Sequence, residues 1–305
     1  MNYIQLSQAI QNYVENNESL FVASIPTFIM EAEERIYNTV QIPTLRKNVT
    51  GSMTIGNKYV SLPADWLANY SVAVIGADGT YSYLLNKDVN YMREAYPNPN
   101  VTGIPKYYAL FGSQLTNIES LSLILAPTPD TAYGVELHYF YYPVSIVQGV
   151  ITGFNTIVAG TGYNTGTYYN IPLSGGSGTY ATATIVVASG GVTSVTINDG
   201  GSLYVTGNVL STSNTYLGGA GGGFTVTVST IDNPTGTSWL GDNYDPVLFY
   251  GAMREAILFM KGEQDMVAYY EKMYMEAVAQ LNRLGTGLER GDTYRDHQAK
   301  IKVSP

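Results

Sequence analysis

Long runs of apolar residues at steps of three and four, the spacing of one helical face, occur only near the two ends of this chain. From Tyr244 to Met260, Leu248, Gly251, Ala252, Glu255, Ala256 and Phe259 share a face, with Asn243 as cap and Pro246 in the first turn. Gly262 breaks the pattern. From Gln264 a second stripe runs through Met266, Tyr269, Tyr270, Met273, Ala277, Leu281 and Leu284, and Gly285 and Gly287 are expected to end it. At the other end, Leu6, Ala9, Ile10, Tyr13 and Val14 follow an Asn2 cap. A second helix is expected to start near Ser24, with Pro26 in its first turn, and to carry Ile25, Phe28, Ile29, Ala32, Ile36 and Val40 inward as far as Pro43. Glu31 and Arg35 fit an i,i+4 pair on its outside. Helical stripes need partners to be buried. The two ends are therefore expected to meet as a helical bundle, with everything between carried as an excursion.

Within the excursion the period changes to two. Val49 to Ile55 and Tyr59 to Leu62 flank Gly56-Asn57 and read as a hairpin, and Val72 to Ile75 and Tyr81 to Leu85 flank Asp78-Gly79 as a second. Between the two, Trp66 follows a turn at Pro63 to Asp65. A short helix over Asp88 to Ala95 and strands at Lys106–Phe111, Ser120–Leu125 and Tyr133–Tyr142 follow, giving a small antiparallel sheet or barrel over 45–148. At Gly149 the composition shifts: up to Asn233 the only charged residues are Asp199 and Asp232. This stretch repeats itself. TIVAGTGY (156–163) matches TINDGGSLY (196–204), and GTYATATIV (178–186) matches GGFTVTVST (222–230), a period a little over forty residues. Two β-rich copies imply a pseudosymmetric β domain inserted in a loop, whose ends lie close together.

Charge restricts the function classes. Charged residues are 13% of 305, against roughly 25% in typical domains. With 27 Tyr and 32 Gly, this favours β-rich surfaces and broad subunit contacts. A net charge of -9 lacks the basic footprint of a protein that grips nucleic acid, although a neutral or acidic wall would let DNA pass. No cysteine is present, so disulfides and thiolate chemistry are excluded. No apolar stretch approaches twenty residues and no secretion signal is visible, so a soluble chain is expected.

No catalytic constellation stands out, and no cofactor or metal is expected. Glu31, Glu33 and Glu34 read as a solvated helical face. His138 lies in the strand LHYFYY as a partly buried ring, and His297 lies in the charged C-terminal stretch. GGAGGGF (218–224) lacks the Lys-Ser/Thr of a phosphate loop and reads as a β turn, and Gly236-Thr237-Ser238 falls outside any nucleophile elbow. Thr286–Pro305 carries no apolar periodicity along its length and reads as frayed or as an arm that orders on a neighbour. Two rival functions are a carbohydrate-binding or fibre-anchoring module using the Tyr-rich repeats, and a peptidoglycan hydrolase using carboxylates such as Glu18 or Glu136.

FIMEAEERIY (28–37), LRKNVTGSMTIGNKYVSLPADWL (45–67), KDVNYMREAYPNP (87–99) and GIPKYYALFG (103–112), set within this layout, resemble the head-to-tail adaptor (connector) proteins of short-tailed bacteriophages. The resemblance spans roughly 1–148 and 237–305. It implies a non-enzymatic α+β virion protein of the head-to-tail interface, assembled in the host cytoplasm. Residues 1–44 and 236–285 would form the bundle, 45–148 an inserted antiparallel β domain and 286–305 an extended portal-binding tail, whereas the second, repeat-built all-β insertion read at 149–235 is not part of the family's usual pattern. It further implies a homo-oligomeric ring, a dodecamer, beneath the portal protein and above a tail nozzle protein. Genomic DNA would pass through without sequence-specific binding, and no membrane would be involved; the placement of the insert, rather than the resemblance, suggests that it decorates the outside of the ring, facing tail fibres. The portal-binding role would fall on Tyr294, Arg295, Asp296, His297, Lys300, Ile301 and Lys302.

Overall fold

The computed structural model describes residues 1–98, 100–112 and 121–289. Its α-helices are α1 (Tyr3–Val14), α2 (Ser19–Thr39), α3 (Val89–Ala95), α4 (Trp239–Asn243), α5 (Asp245–Phe259) and α6 (Gln264–Glu289). Among the described residues the fold is mixed α+β with several sheets, none of them closed. The described residues divide into two compact units: 1–40 with 144–283, and 41–143 with the end of α6 from 284.

In the first unit, α1 opens on a capping box. Asn2 Oδ1 accepts from Gln5 N at 2.9 Å and Gln5 Oε1 from Asn2 N at 3.0 Å. α2 starts at Ser19 rather than Ser24, so Pro26 stands inside it and not in its first turn. The extra turn buries Phe21 to 1% exposure, which offsets the helical hydrogen bond that proline cannot donate. α2 and α5 pack where Gly251 meets Ala32: a Cβ on Gly251 would stand 3.0 Å from Ala32 Cβ and 3.4 Å from Tyr274 Cε2 of α6. Arg35 pairs across this contact with Glu255 at 2.6 Å, not with Glu31 along its own helix, and Arg254 joins Glu255 at 2.7 Å and also Glu271 of α6.

Three expectations for the C-terminal helices change. Asn243 ends α4 and donates to Trp239 O at 2.9 Å, so Tyr244 takes the cap position of α5. The buried stripe of α6 runs through Tyr270, Tyr274, Ala277, Val278 and Leu281, while Met266, Tyr269 and Leu284 are exposed. α6 also continues through Gly285 and Gly287 to Glu289. Gly285 is there for space, since its Cβ would lie 2.6 Å from Ile42 Cγ2.

The repeats build β9 to β14. These are, in order, Val150–Val158, Gly166–Pro172, Thr182–Ala188, Gly191–Asp199, Val209–Leu210 and Thr225–Asp232. They form two antiparallel sheets, β10-β11-β12 and β13-β14-β9. Each sheet takes its second and third strands from one repeat and accepts the first strand of the other, so the copies are exchanged halves of one body. Their matched tyrosines show the pseudosymmetry. Tyr163 N donates to Gly190 O and Tyr204 N to Gly149 O, both at 3.1 Å, and both rings are buried. A Cβ on Gly221 would stand 2.2 Å from Tyr163 Cδ1, and one on Gly178 would stand 2.4 Å from Tyr204 Cγ. Gly178 thus corresponds to Gly221, one residue off the pairing of 178 with 222. A one-residue slip exchanges the faces of a strand. With it, buried Ala181, Ala183 and Ile185 match buried Phe224, Val226 and Val228.

The second unit contains β1 (Arg46–Ser52), β2 (Tyr59–Ser61), β3 (Trp66–Ile75), β4 (Tyr81–Tyr83), β5 (Leu85–Asn86), β6 (Tyr107–Phe111), β7 (Ser122–Ala126) and β8 (Gly134–Tyr141). They form two four-stranded sheets, β1-β8-β3-β4 and β2-β7-β6-β5, antiparallel except where β5 meets β6. The two share a core that includes Met53, Leu62, Val72, Leu123, Leu137 and Tyr139. The second expected hairpin is present, with β3 paired to β4 and Gly79 at φ +80°. The first is not, because β1 pairs with β8 and β2 with β7. Gly56 does turn the chain, but Met53 N and Gly56 N donate to Tyr133 O and Pro129 O, so the turn carries the chain from one sheet to the other. Asp88 caps α3 by accepting from Asn90 N at 2.7 Å.

The matched glycines generate a paired prediction. Gly178→Ala and Gly221→Ala should each destabilise the protein by about 1–3 kcal/mol through overpacking against the tyrosine ring. Alanine at Gly219, where nothing lies within 4 Å, meets no atom, and only its φ of +88° opposes it. Thermal melts of the three variants compare the costs.

Candidate interaction surface

The repeat segment is seated on the helices through a small polar clasp. The ingoing segment, 145–149, and the outgoing one, 232–237, are bonded to each other: Gly149 N donates to Asp232 O at 3.1 Å and Gln148 Nε2 to Pro234 O at 2.9 Å. Asn233 is its centre. Its amide donates to Ser145 O at 2.7 Å and Thr237 O at 2.9 Å, while its Oδ1 accepts from Gly236 N at 2.9 Å. The helices grip the clasp from their side. Tyr3 N donates to Gly236 O at 2.8 Å, the Met1 amino group donates to Gly241 O, and the buried Tyr3 hydroxyl bonds Ser202.

Glu33 is the charged residue of this seat, and its environment corrects the reading of it as solvated. It is 3% exposed. Its Oε1 accepts from Ile146 N at 2.9 Å and Ser145 adds a side-chain bond, while Oε2 has no partner. Burial raises its pKa from 4.5 to about 7, only partly opposed by these two bonds. The signal was present in the sequence: Glu33 is i+4 from Ile29 and i−3 from Ile36, inside the apolar stripe of α2. By contrast, Glu31 and Glu34 are exposed.

The outer helical surface is unusually apolar. Leu20, Tyr13, Leu258, Phe259, Met266 and Met275 are each more than two-fifths exposed. Phe28, Leu258 and Phe259 line a groove of about 310 Å³ with Glu31 and Glu255 at its rim. Phe259 stacks obliquely on Phe28 at 5.2 Å. Tyr13 meets Phe249 edge-on at 5.0 Å beside a second groove of about 240 Å³. Such surface is what subunit contacts use.

The other residues singled out in the sequence are dispersed. His138 is half-buried, edge-on to Tyr70 at 5.0 Å. Ser238 caps α4 by accepting from Gly241 N at 3.1 Å. Gly218 and Gly219 of GGAGGGF adopt positive φ and the segment leads into β14, not a helix. Glu18 is an exposed residue of the first unit, and Glu136, in the second, accepts from Asn48 Nδ2. Among the described residues no group of three or more His, Asp or Glu could hold a metal ion, and no helix is long and apolar enough to cross a membrane. Tyr294, Arg295, Asp296, His297, Lys300, Ile301 and Lys302 lie outside the described residues.

The sequence profile of the SU10 adaptor protein matches residues 1–158. The chain belongs to the SU10 adaptor protein family. The match takes in α1, α2, every strand of the second unit and β9, and it ends inside the first repeat. The resemblance drawn over 237–305 is not covered by it. No curated protein sequence matches the chain. SU10 adaptors are structural proteins of the phage head-to-tail junction, which associates this chain with portal and tail components and places it in the virion.

The seat of this adaptor's repeat segment should respond to pH. Glu33 ionises near 4.5 when unfolded and near 7 when folded, so its contribution to stability is full below pH 4.5 and falls as pH rises toward 7. In Glu33→Gln the amide keeps an acceptor for Ile146 N–H and cannot ionise. Between pH 5 and pH 8 its stability should improve relative to the parent by up to about 3 kcal/mol, as read by denaturant titration at both pH values.

Proposed function

We propose that this adaptor forms a closed ring beneath the portal of a short-tailed phage, extends the DNA channel and carries the tail. The observation that carries the reading is the SU10 adaptor match over 1–158. In this reading the helices from both ends of the chain form a bundle, and neighbouring copies, twelve by family resemblance, cover its exposed Leu258, Phe259 and Tyr13. The net charge of -9 suits a wall along which DNA moves without being held. The 149–235 repeats stand as an insertion on the outside of the ring, within reach of fibres. A nozzle protein binds the lower face.

The segment beyond α6 attaches the portal through Tyr294, Arg295, Asp296, His297, Lys300, Ile301 and Lys302. Ordering such an arm costs about 1–2 kcal/mol per residue in backbone entropy, which the many equivalent contacts of a ring offset. A chain ending after Glu289 should keep the circular dichroism and melting behaviour of the parent yet fail to co-sediment with cognate portal rings. Truncated protein that still pellets with the rings would remove the arm from the attachment.

A further inference from the structure

The charges of this chain are unevenly divided. In the first unit acidic residues outnumber basic ones, whereas over 41–143 the described charges balance. Some cations of the second unit are left without a counter-charge. Lys58 and Arg93 stand over the rings of Tyr59 and Phe111, at 5.5 and 5.8 Å, and neither makes an ion pair among the described residues. Both line one pocket, together with Tyr96, Asn98 and the buried Met92 and Ile124. Its volume of about 30 Å³ has room for roughly two water-sized atoms. That suits the two oxygens of a carboxylate and is too small for a base, a sugar or an aromatic ring. Val101, which also lines the pocket, and Ile104 are 47% and 49% exposed. The first unit carries the complementary arrangement. Glu31 is exposed, has no ion-pair partner among the described residues, and stands at the rim of the groove of Phe28, Leu258 and Phe259. Glu34, also exposed, lies one turn further along α2.

We propose that Glu31 of one copy of this chain enters the Lys58 and Arg93 pocket of a second copy, and that Val101 of the second fills the groove of the first. Each charge then gains the partner it lacks within its own unit, and each apolar surface is covered by another. A free carboxylate ligand would satisfy the pocket and leave Val101 and the groove in water. A DNA duplex would meet Asp88, which caps α3, and Glu94 beside Arg93, on a chain whose net charge of -9 repels phosphate. The two surfaces belong to different parts of the chain, so every copy offers one and uses the other. Such a heterologous contact closes into a ring where its rotation allows. The contact deepens the ring reading given above and rests on it.

Charge reversal in the full chain tests the contact. Lys58→Glu with Arg93→Glu, and separately Glu31→Lys with Glu34→Lys, should each raise at least tenfold the concentration at which half the protein is assembled, as read by sedimentation velocity at low salt. An equimolar mixture of the two variants should recover the parent's value, because alternating copies again present opposite charges at every contact. Recovery only when all four substitutions share one chain would place the contact within a chain and overturn the proposal. Assembly unchanged by either reversal overturns it and leaves the ring standing, whereas a parent that stays monomeric at every concentration overturns both. A parent that binds duplex DNA, and loses that binding in Lys58→Glu with Arg93→Glu, assigns the face to nucleic acid instead. Because the chain has no cysteine, a second measurement needs no background correction. Glu31→Cys chains mixed with Arg93→Cys chains should oxidise to the mixed dimer at least tenfold faster than either variant alone forms its own dimer. Equal rates count against the contact.

Discussion

The helical part of this adaptor depends on one close approach. Ala32, Gly251 and Tyr274 come from three helices, and a side chain on Gly251 would press on both of the others. Ala32 and Gly251 are separated by most of the sequence, so the contact also brings the two halves of the chain together. Around it, Arg35, Arg254, Glu255 and Glu271 alternate in sign across α2, α5 and α6. These ion pairs are partly buried, with Glu255 at their centre the least exposed. They fix which faces meet, while the glycine sets how near.

The seat of the repeats uses the opposite strategy. There an acidic group is buried without a counter-charge, and folding has to tolerate it. Glu33 reads a backbone N–H of the ingoing segment, and Asn233 closes the outgoing one, so the first unit knows where the repeats begin and end from two side chains. Removing a buried acceptor of this kind leaves the Ile146 N–H unsatisfied, which is one physical reason for keeping an awkward carboxyl group.

Much of this was legible in the sequence. The α1 cap, the Asp78-Gly79 hairpin, the Asp88 helix and the doubled β pattern all express local rules, and local rules survive folding. What was lost was decided at a distance. Gly56 gave a sound turn signal, but the partners of β1 and β2 lie some eighty and sixty residues downstream. Pro26 and Gly285 looked like boundaries, yet burial of Phe21 and close contact with Ile42 carry the helices across them. Glu33 was misread because its residue type outweighed its position on the stripe. The attachment residues from Tyr294 to Lys302 were assigned by resemblance and lie outside the described residues.

The exchange of strands between repeats has a mechanical consequence. β9 and β14 are adjacent, and Val150 and Asp232 stand opposite one another at the end where the polypeptide enters and leaves. Tension between these two points would part the ladder one rung at a time instead of shearing all rungs together. The Asn233 amide, anchored at both Ser145 and Thr237, bridges the chain just ahead of that weak end. It acts as a strain relief: a load arriving through the helices is passed from one flanking segment to the other before it reaches the first rung.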